Sequence, residues 1–120
     1  MPASYVELDR VELTAAAALF RSLGDPARLA ILRRLATADG TRVVDLVAAL
    51  GLAQSTVSKH LACLRDCGLV ISHPVGRASM FTLAQPALID VLAAAETVLA
   101  ATGDAVALCP TYGQNPGERS

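Results

Sequence analysis

Tryptophan is missing from this 120-residue chain, and aromatic residues of any kind make up only 3% of it, two Phe and two Tyr. A core must therefore be built from Leu, Val, Ile and Ala, a composition that favours helices over sheets. The same scarcity argues against an RNA-binding module that stacks bases on aromatic rings. Neither sign of charge is in excess. Ten Lys and Arg stand against eleven Asp and Glu, a formal net charge of −1, so contact with nucleic acid would rest on a local basic face. No apolar run approaches the roughly 20 residues that span a bilayer, and residues 1–10 lack the basic-then-apolar order of a signal peptide. The expectation is a cytoplasmic protein with no membrane partner. Cysteine occurs three times. An odd number in a reducing compartment does not suit a disulfide framework and leaves free thiols, metal ligands or redox groups.

What is present fits one ordinary domain. With 53% hydrophobic and 18% charged residues the chain can build a core. Leu8, Val11, Ala15, Ala18 and Leu19 form one helical stripe over about residues 7–22. Gly24 breaks it. Asp25 then caps a second helix with Pro26 at its first position, where a missing N–H costs nothing; Leu29, Ile31, Leu32 and Leu35 are its apolar residues. A third helix spans about 43–50 and ends at Gly51. The turn Gly51-Leu52-Ala53 leads to a fourth helix over about 54–67, with Val57, Leu61 and Leu64 as its buried stripe and Gly68 at its end. Extended runs at about 69–73 and 78–83 flank a hairpin turn, Pro74-Val75-Gly76-Arg77. A last helix over about 87–101 is apolar nearly all round and ends at Gly103. The expected fold is mainly α with a small β-hairpin. Residues 1–103 form the domain, and 104–120 form a flexible, Pro/Gly-rich tail that carries Cys109.

Helix, glycine-containing turn, helix and hairpin is the order of a winged helix-turn-helix. The fourth helix is the candidate reader. Its start, Gln54-Ser55-Thr56-Val57-Ser58-Lys59-His60, is short and polar except for Val57, and such side chains can hydrogen-bond base edges and phosphates in a major groove. The helix N-terminus adds positive dipole, Lys59 a phosphate contact, and Arg77 at the hairpin tip a contact to the backbone or minor groove. Polar faces alone are common solvated surface; the hairpin that follows is what favours DNA. His60 by itself reads more readily as a structural or phosphate-contacting residue than as a metal ligand.

Cys63 and Cys67 stand four apart on one face of the reader helix, with Cβ atoms about 6 Å apart. Two thiolates so placed can grip one ion, and Cys109 could supply a third. Three sulfurs without an imidazole favour a soft ion over Mg²⁺, Ca²⁺ or Mn²⁺; cadmium and lead suit the set best, and zinc or arsenite are alternatives. Binding requires loss of the thiol protons, so affinity should rise with pH. Cysteine is equally a small buried hydrophobe, and spacing alone leaves metal site and core evenly matched.

The segments Leu23-Gly-Asp-Pro-Ala-Arg-Leu-Ala-Ile-Leu32, Gln54-Ser-Thr-Val-Ser-Lys-His-Leu61 and Leu64-Arg-Asp-Cys-Gly-Leu-Val70, followed by Gly76-Arg77, resemble the ArsR/SmtB family of metal-sensing repressors over about residues 10–102. The resemblance implies a homodimer on an inverted-repeat operator, with the first and last helices as the interface. A helix apolar all round must be buried, and a chain of this length has little core to hide it in, which supports the dimer independently. Many relatives carry Ser where Ala53 stands, a capping position worth about 1 kcal/mol. The cysteine pair plus a C-terminal cysteine resembles the cadmium- and lead-responsive branch of the family. That likeness implies Cys63, Cys67 and Cys109 as ligands, with the tail cysteine within or across protomers. Two other site types of the family fail: Arg42 and Val44 stand where one needs cysteines, and residues 87–101 hold none of the histidines another needs.

The expected function is thus release of operator DNA on binding cadmium or lead, with no small organic substrate. An arsenite-responsive repressor and a thiol redox switch pairing Cys63 or Cys67 with Cys109 are the near alternatives. A thiol enzyme lacks a base placed beside a cysteine, although His60 and His73 exist, and lacks a phosphate-cradling loop. A helical dimerisation module without a DNA role would show no salt-dependent duplex binding.

Overall fold

The computed structural model describes residues 2–104 and 108, with side chains from Arg10 onward. Five helices and three short strands follow one another as α1 (Pro2–Leu23), α2 (Pro26–Ala36), β1 (Thr41–Arg42), α3 (Val43–Leu50), α4 (Gln54–Asp66), β2 (Val70–Val75), β3 (Ala78–Leu83) and α5 (Ala87–Ala101). The mainly α expectation with a hairpin holds. Helix α1 begins about five residues before the periodic stripe does, because a helix continues past the residues whose apolar period marks it; the stripe residues Val11, Ala15 and Ala18 are themselves exposed.

Local chemistry sets the boundaries. Asp25 is extended, and its carboxylate accepts the N–H groups of Ala27 and Arg28 at 2.8 and 3.1 Å, with Pro26 opening α2. This satisfies two of the four donors a helix start leaves open. At α3 the Asp45 carboxylate reaches back to the Arg42 N–H at 3.4 Å and to its guanidinium at 3.2 Å. Helix α4 ends in a Schellman motif: Leu69 N–H donates to the Leu64 carbonyl and Gly68 N–H to that of Arg65, both at 2.9 Å. Leu64 and Leu69 are both buried beside that turn, the apolar contact that commonly accompanies the motif.

The sheet order is β1-β3-β2, all antiparallel. Strand β1 is only two residues long, too short for a period-two pattern to reveal. Strand β2 runs through Pro74, two residues beyond the expected end, because it lies at the sheet edge, where a missing N–H breaks no ladder. Val75 pairs with Ala78, so the turn contracts to Gly76-Arg77. Gly76 takes φ +64°, as the first position of a type II′ hairpin turn requires.

Ile31 and Leu32 of α2, Leu46 of α3, Val57, Leu61 and Leu64 of α4, Val70 of β2, Phe81 of β3 and Leu88 of α5 form one buried cluster. Each of Ile31, Leu32, Leu46, Val57, Leu64 and Val70 has no exposed surface. Helix α1 differs: every residue from 10 to 18 is exposed. Among the described residues no helix is long and apolar enough to cross a membrane. Leu64→Ala should lower stability by about 2–5 kcal/mol, the range for a fully buried leucine left as a cavity. Urea unfolding at fixed protein concentration measures it, and a loss within experimental error would contradict the packing described.

Candidate nucleic-acid interface and thiol pair

Burial of one stripe of α4 decides where its other residues point. Val57, Leu61 and Leu64 face the core. Gln54, Ser55, Ser58 and Lys59 are exposed and Thr56 is half-buried, so five of the expected DNA-contacting side chains share one outward surface. Gly51, with φ +69°, ends α3 by donating its N–H to the Val47 carbonyl at 2.9 Å. A left-handed glycine there lets the chain reverse within three residues and start α4. Ala53 occupies the N-cap of α4 without any side-chain hydrogen bond. Arg77 is exposed in the two-residue wing turn.

His60 is placed differently from its neighbours. Its ring is only 19% exposed, and Nε2 lies 4.0 Å from the Asp25 carboxylate. It therefore meets the α1–α2 corner rather than sharing the open face. Sequence periodicity alone showed no sign of this contact, because Asp25 already had a sufficient role as a cap. Across the wing, His73 Nε2 and Thr82 Oγ1 are 3.0 Å apart, tying β2 to β3.

The Asp25 carboxyl is held below its ordinary value of 3.8, first by the Arg28 N–H, then by the Ala27 N–H, nearby His60 and the Arg28 charge, against a smaller desolvation effect. A carboxyl whose pKa is lower folded than unfolded adds stability above the unfolded value, and that stability is lost as pH falls through the folded value. Asp25→Asn retains a capping oxygen but removes the charge. The melting temperature of wild type should exceed that of Asp25→Asn at neutral pH, and the gap should close as pH falls below 3.8. Thermal melts across that range test it; a gap that widens in acid would reverse the assignment.

Cys63 is half-buried and Cys67, at the C-cap of α4, is exposed. The Cys67 N–H donates to the Cys63 carbonyl at 3.1 Å, which sets the residues one turn apart on the reader helix. Neither belongs to the buried cluster, so the small-hydrophobe account does not describe Cys67. Cys109 lies outside the described residues, as does most of the tail assigned to 104–120. Among the described residues no group of three His, Cys, Asp or Glu side chains could hold a metal ion; the thiol pair needs a further donor. Arg42 is engaged with Asp45 and Val44 is exposed, so the alternative position on α3 carries no ligand.

Three features escaped the sequence reading. Ser22, buried at the end of α1, places its hydroxyl 3.0 Å from Cys67 Sγ. Glu96 is 4% exposed on an otherwise apolar helix face, and its carboxylate accepts the Leu108 N–H. An apolar groove of about 620 Å³ opens between α1 and α5, lined by Phe20, Leu29, Val91, Ala95, Val98 and Leu99 among others. For Glu96 the signal was visible: an acid in the middle of an apolar helix needs a partner once buried.

A two-helix unit with an outward polar reader, closed by a hairpin wing, defines a winged helix-turn-helix protein of the DNA-reading kind. The family of bacterial regulatory proteins called the arsR family matches residues 25–72. The probable mercury resistance operon repressor of Streptomyces lividans is 32% identical over 102 residues, covering 85% of this chain and 78% of that one. The transcriptional regulator CmtR of Mycobacterium tuberculosis is 47% identical over 72 residues, 59% of each chain, so less than two thirds of that relative's length is spanned. The NMR structure of CmtR from the same organism, described as a cadmium metal-sensor, superposes with a TM-score of 0.56 at 42% identity, over 65% of this chain and 80% of that one. The crystal structure of M. tuberculosis Rv0081 gives a TM-score of 0.71 at 32% identity over 78% and 93%. The chain belongs to the arsR family of bacterial regulatory proteins, whose relatives here are transcriptional regulators and not enzymes.

Proposed function

We propose that this chain is a cytoplasmic repressor that binds operator DNA as a homodimer and releases it when cadmium or lead binds Cys63, Cys67 and Cys109. The observation that carries the reading is the position of the thiols. They sit one turn apart at the C-terminal end of the same helix whose N-terminal half presents Gln54, Ser55, Thr56, Ser58 and Lys59. Whatever engages the sulfurs therefore acts on the DNA-reading element itself. The donor chemistry agrees: accessible thiolates select soft ions, and the relatives are named for cadmium sensing and mercury resistance.

The α1–α5 groove supports the dimer. Val11, Phe20 and Val98 are 77%, 63% and 62% exposed on these two helices, apolar surface of the kind an interface covers. A homodimer on an inverted-repeat operator needs its two reader helices about one DNA turn, roughly 34 Å, apart. Each open N-terminus of α4, where Ala53 supplies no acceptor, would then face phosphate. His60 serves in this arrangement as a brace for the reader through Asp25.

Two measurements test the reading. Lys59→Ala and Arg77→Ala should each weaken duplex binding for all sequences and flatten the dependence of log K on log salt by about one unit. Unchanged slopes would remove these residues from the interface. Anaerobic titration of the reduced chain with cadmium should raise an ultraviolet thiolate-to-metal band that saturates at one ion per protomer, and Cys63→Ser, Cys67→Ser and Cys109→Ser should each weaken it. Absence of the band in wild type would refute the metal site, and release by peroxide without metal would assign the thiols to redox sensing instead.

A further inference from the structure

Ser22 and Cys67 meet across 45 residues of sequence, and the hydrogen bonds at that contact can be counted proton by proton. Ser22 Oγ lies 3.0 Å from the Ala18 carbonyl oxygen and 3.0 Å from Cys67 Sγ. A carbonyl only accepts, so the single serine proton goes to Ala18. The other contact then needs the Cys67 S–H as donor and Ser22 Oγ as acceptor. Two protons serve two hydrogen bonds in a line that runs from the reader helix into the last turn of α1.

Ser22 is also firmly held. Its carbonyl accepts from Arg28 Nε at 2.6 Å, the Arg21 carbonyl accepts from Arg28 Nη2 at 3.1 Å, and Gly24 N–H donates to Arg21 at 3.2 Å. The end of α1 and the first turn of α2 therefore move together. Helix α4 touches this corner again at His60, whose ring lies 4.0 Å from Asp25. Seven residues separate His60 from Cys67, two helical turns and about 10 Å along the axis. The corner thus clasps the reader at two points on one face.

We propose that Ser22 is the positioning residue through which occupancy of Cys67 is passed from α4 to α1. The inference rests on the metal-responsive reading above. When Cys67 binds an ion as thiolate, its proton leaves to solvent and the sulfur can only accept. One proton, that of Ser22, then remains for two acceptors. If it turns to the sulfur, Ala18 loses its side-chain hydrogen bond; if it stays on Ala18, two lone-pair-bearing atoms face each other at 3.0 Å and must part. Both responses change the junction of the reader with α1, while the Asp25–His60 contact remains as the pivot. This gives the coupling a discrete two-state element. The long exposed stretch of α1 that the corner carries is the part placed against the second copy.

The experiment uses the full chain, cadmium chloride and a fluorescent duplex that the protein binds. Ser22→Ala should keep the cadmium–thiolate band and the metal-free DNA affinity. The ratio of DNA affinities without and with cadmium should fall at least about threefold below the wild-type ratio, a loss of coupling rather than of binding. Ser22→Thr, which restores the hydroxyl, should restore the ratio. In the wild-type chain, cadmium should speed hydrogen exchange of the amides from Ala18 to Leu23. A wild-type ratio in Ser22→Ala, with the band intact, would overturn the role of Ser22 and leave the repressor reading standing. No band and no release in the wild-type chain would overturn both. If Ser22→Ala fails to fold, exchange in the wild-type chain decides: protection of this turn unaltered by cadmium refutes the proposal, and faster exchange supports it.

Discussion

The structure depends on the division of α4 into an apolar and a polar face. Val57, Leu61 and Leu64 follow the helical period and are at most 1% exposed. Burying three such side chains contributes about 1.5–3 kcal/mol each before entropy is counted. It also leaves α4 one way to lie. Once that stripe is inward, Gln54, Ser55, Ser58 and Lys59 are outward, His60 is turned to Asp25, and the cysteines fall at the far end. The Schellman turn at Leu64–Leu69 then delivers the chain directly into β2, so the wing is aimed by the same packing that aims the reader. A register shift of one residue along α4 would displace every one of these groups by about 100°.

A second constraint is scarcity of core. Among the described residues, the central cluster draws on α2, α3, α4, the sheet and α5, and takes from α1 only Leu23 and the flanking Leu19. With residues 10–18 of this 22-residue helix exposed, that stretch gains little from packing within the chain, although most helix stability in proteins comes from packing of an apolar face. The open groove beside it, with Phe20 on one wall and Val98 and Leu99 on the other, has the apolar lining that such a helix lacks elsewhere. Under the proposed homodimer, fold and assembly would be linked through one shortage of core.

The sequence carried most of the architecture because periodicity and punctuation are local. Gly24, Asp25-Pro26, Gly51 and Gly68 each mark a boundary that the structure keeps within a residue or two. The Lys59 and Arg77 exposures followed from the same logic. What stayed hidden was either too short or too distant. Two residues of β1 cannot display a period, and the reach of β2 through Pro74 depends on its being an edge, which topology decides. The Ser22–Cys67 and Asp25–His60 contacts join residues 45 and 35 positions apart, and nothing in either local pattern announces the other. Cys67 illustrates the difference: its spacing from Cys63 was legible, while its exposure and its partner were properties of the folded corner.

On the proposed function, that corner is what would give a sensing group at the end of α4 leverage. A ligand acts on an equilibrium only through contacts that differ between two states. Ligand atoms on a freely exposed helix end would change nothing beyond themselves. Here Cys67 is open on one side and hydrogen-bonded to a buried serine on the other, and that serine ends the helix whose residues 10–18 are exposed. The thiol is therefore accessible enough to be engaged and connected enough to matter. The Asp25 carboxylate keeps the far contact of the clasp in place by serving two helices at once, capping α2 and facing His60 of α4. Under the proposed coupling the two ends of the clasp differ in chemistry, a thiol–hydroxyl contact at Cys67 and an imidazole–carboxylate contact at His60, so that engagement of Cys67 acts directly on one end and not on the other.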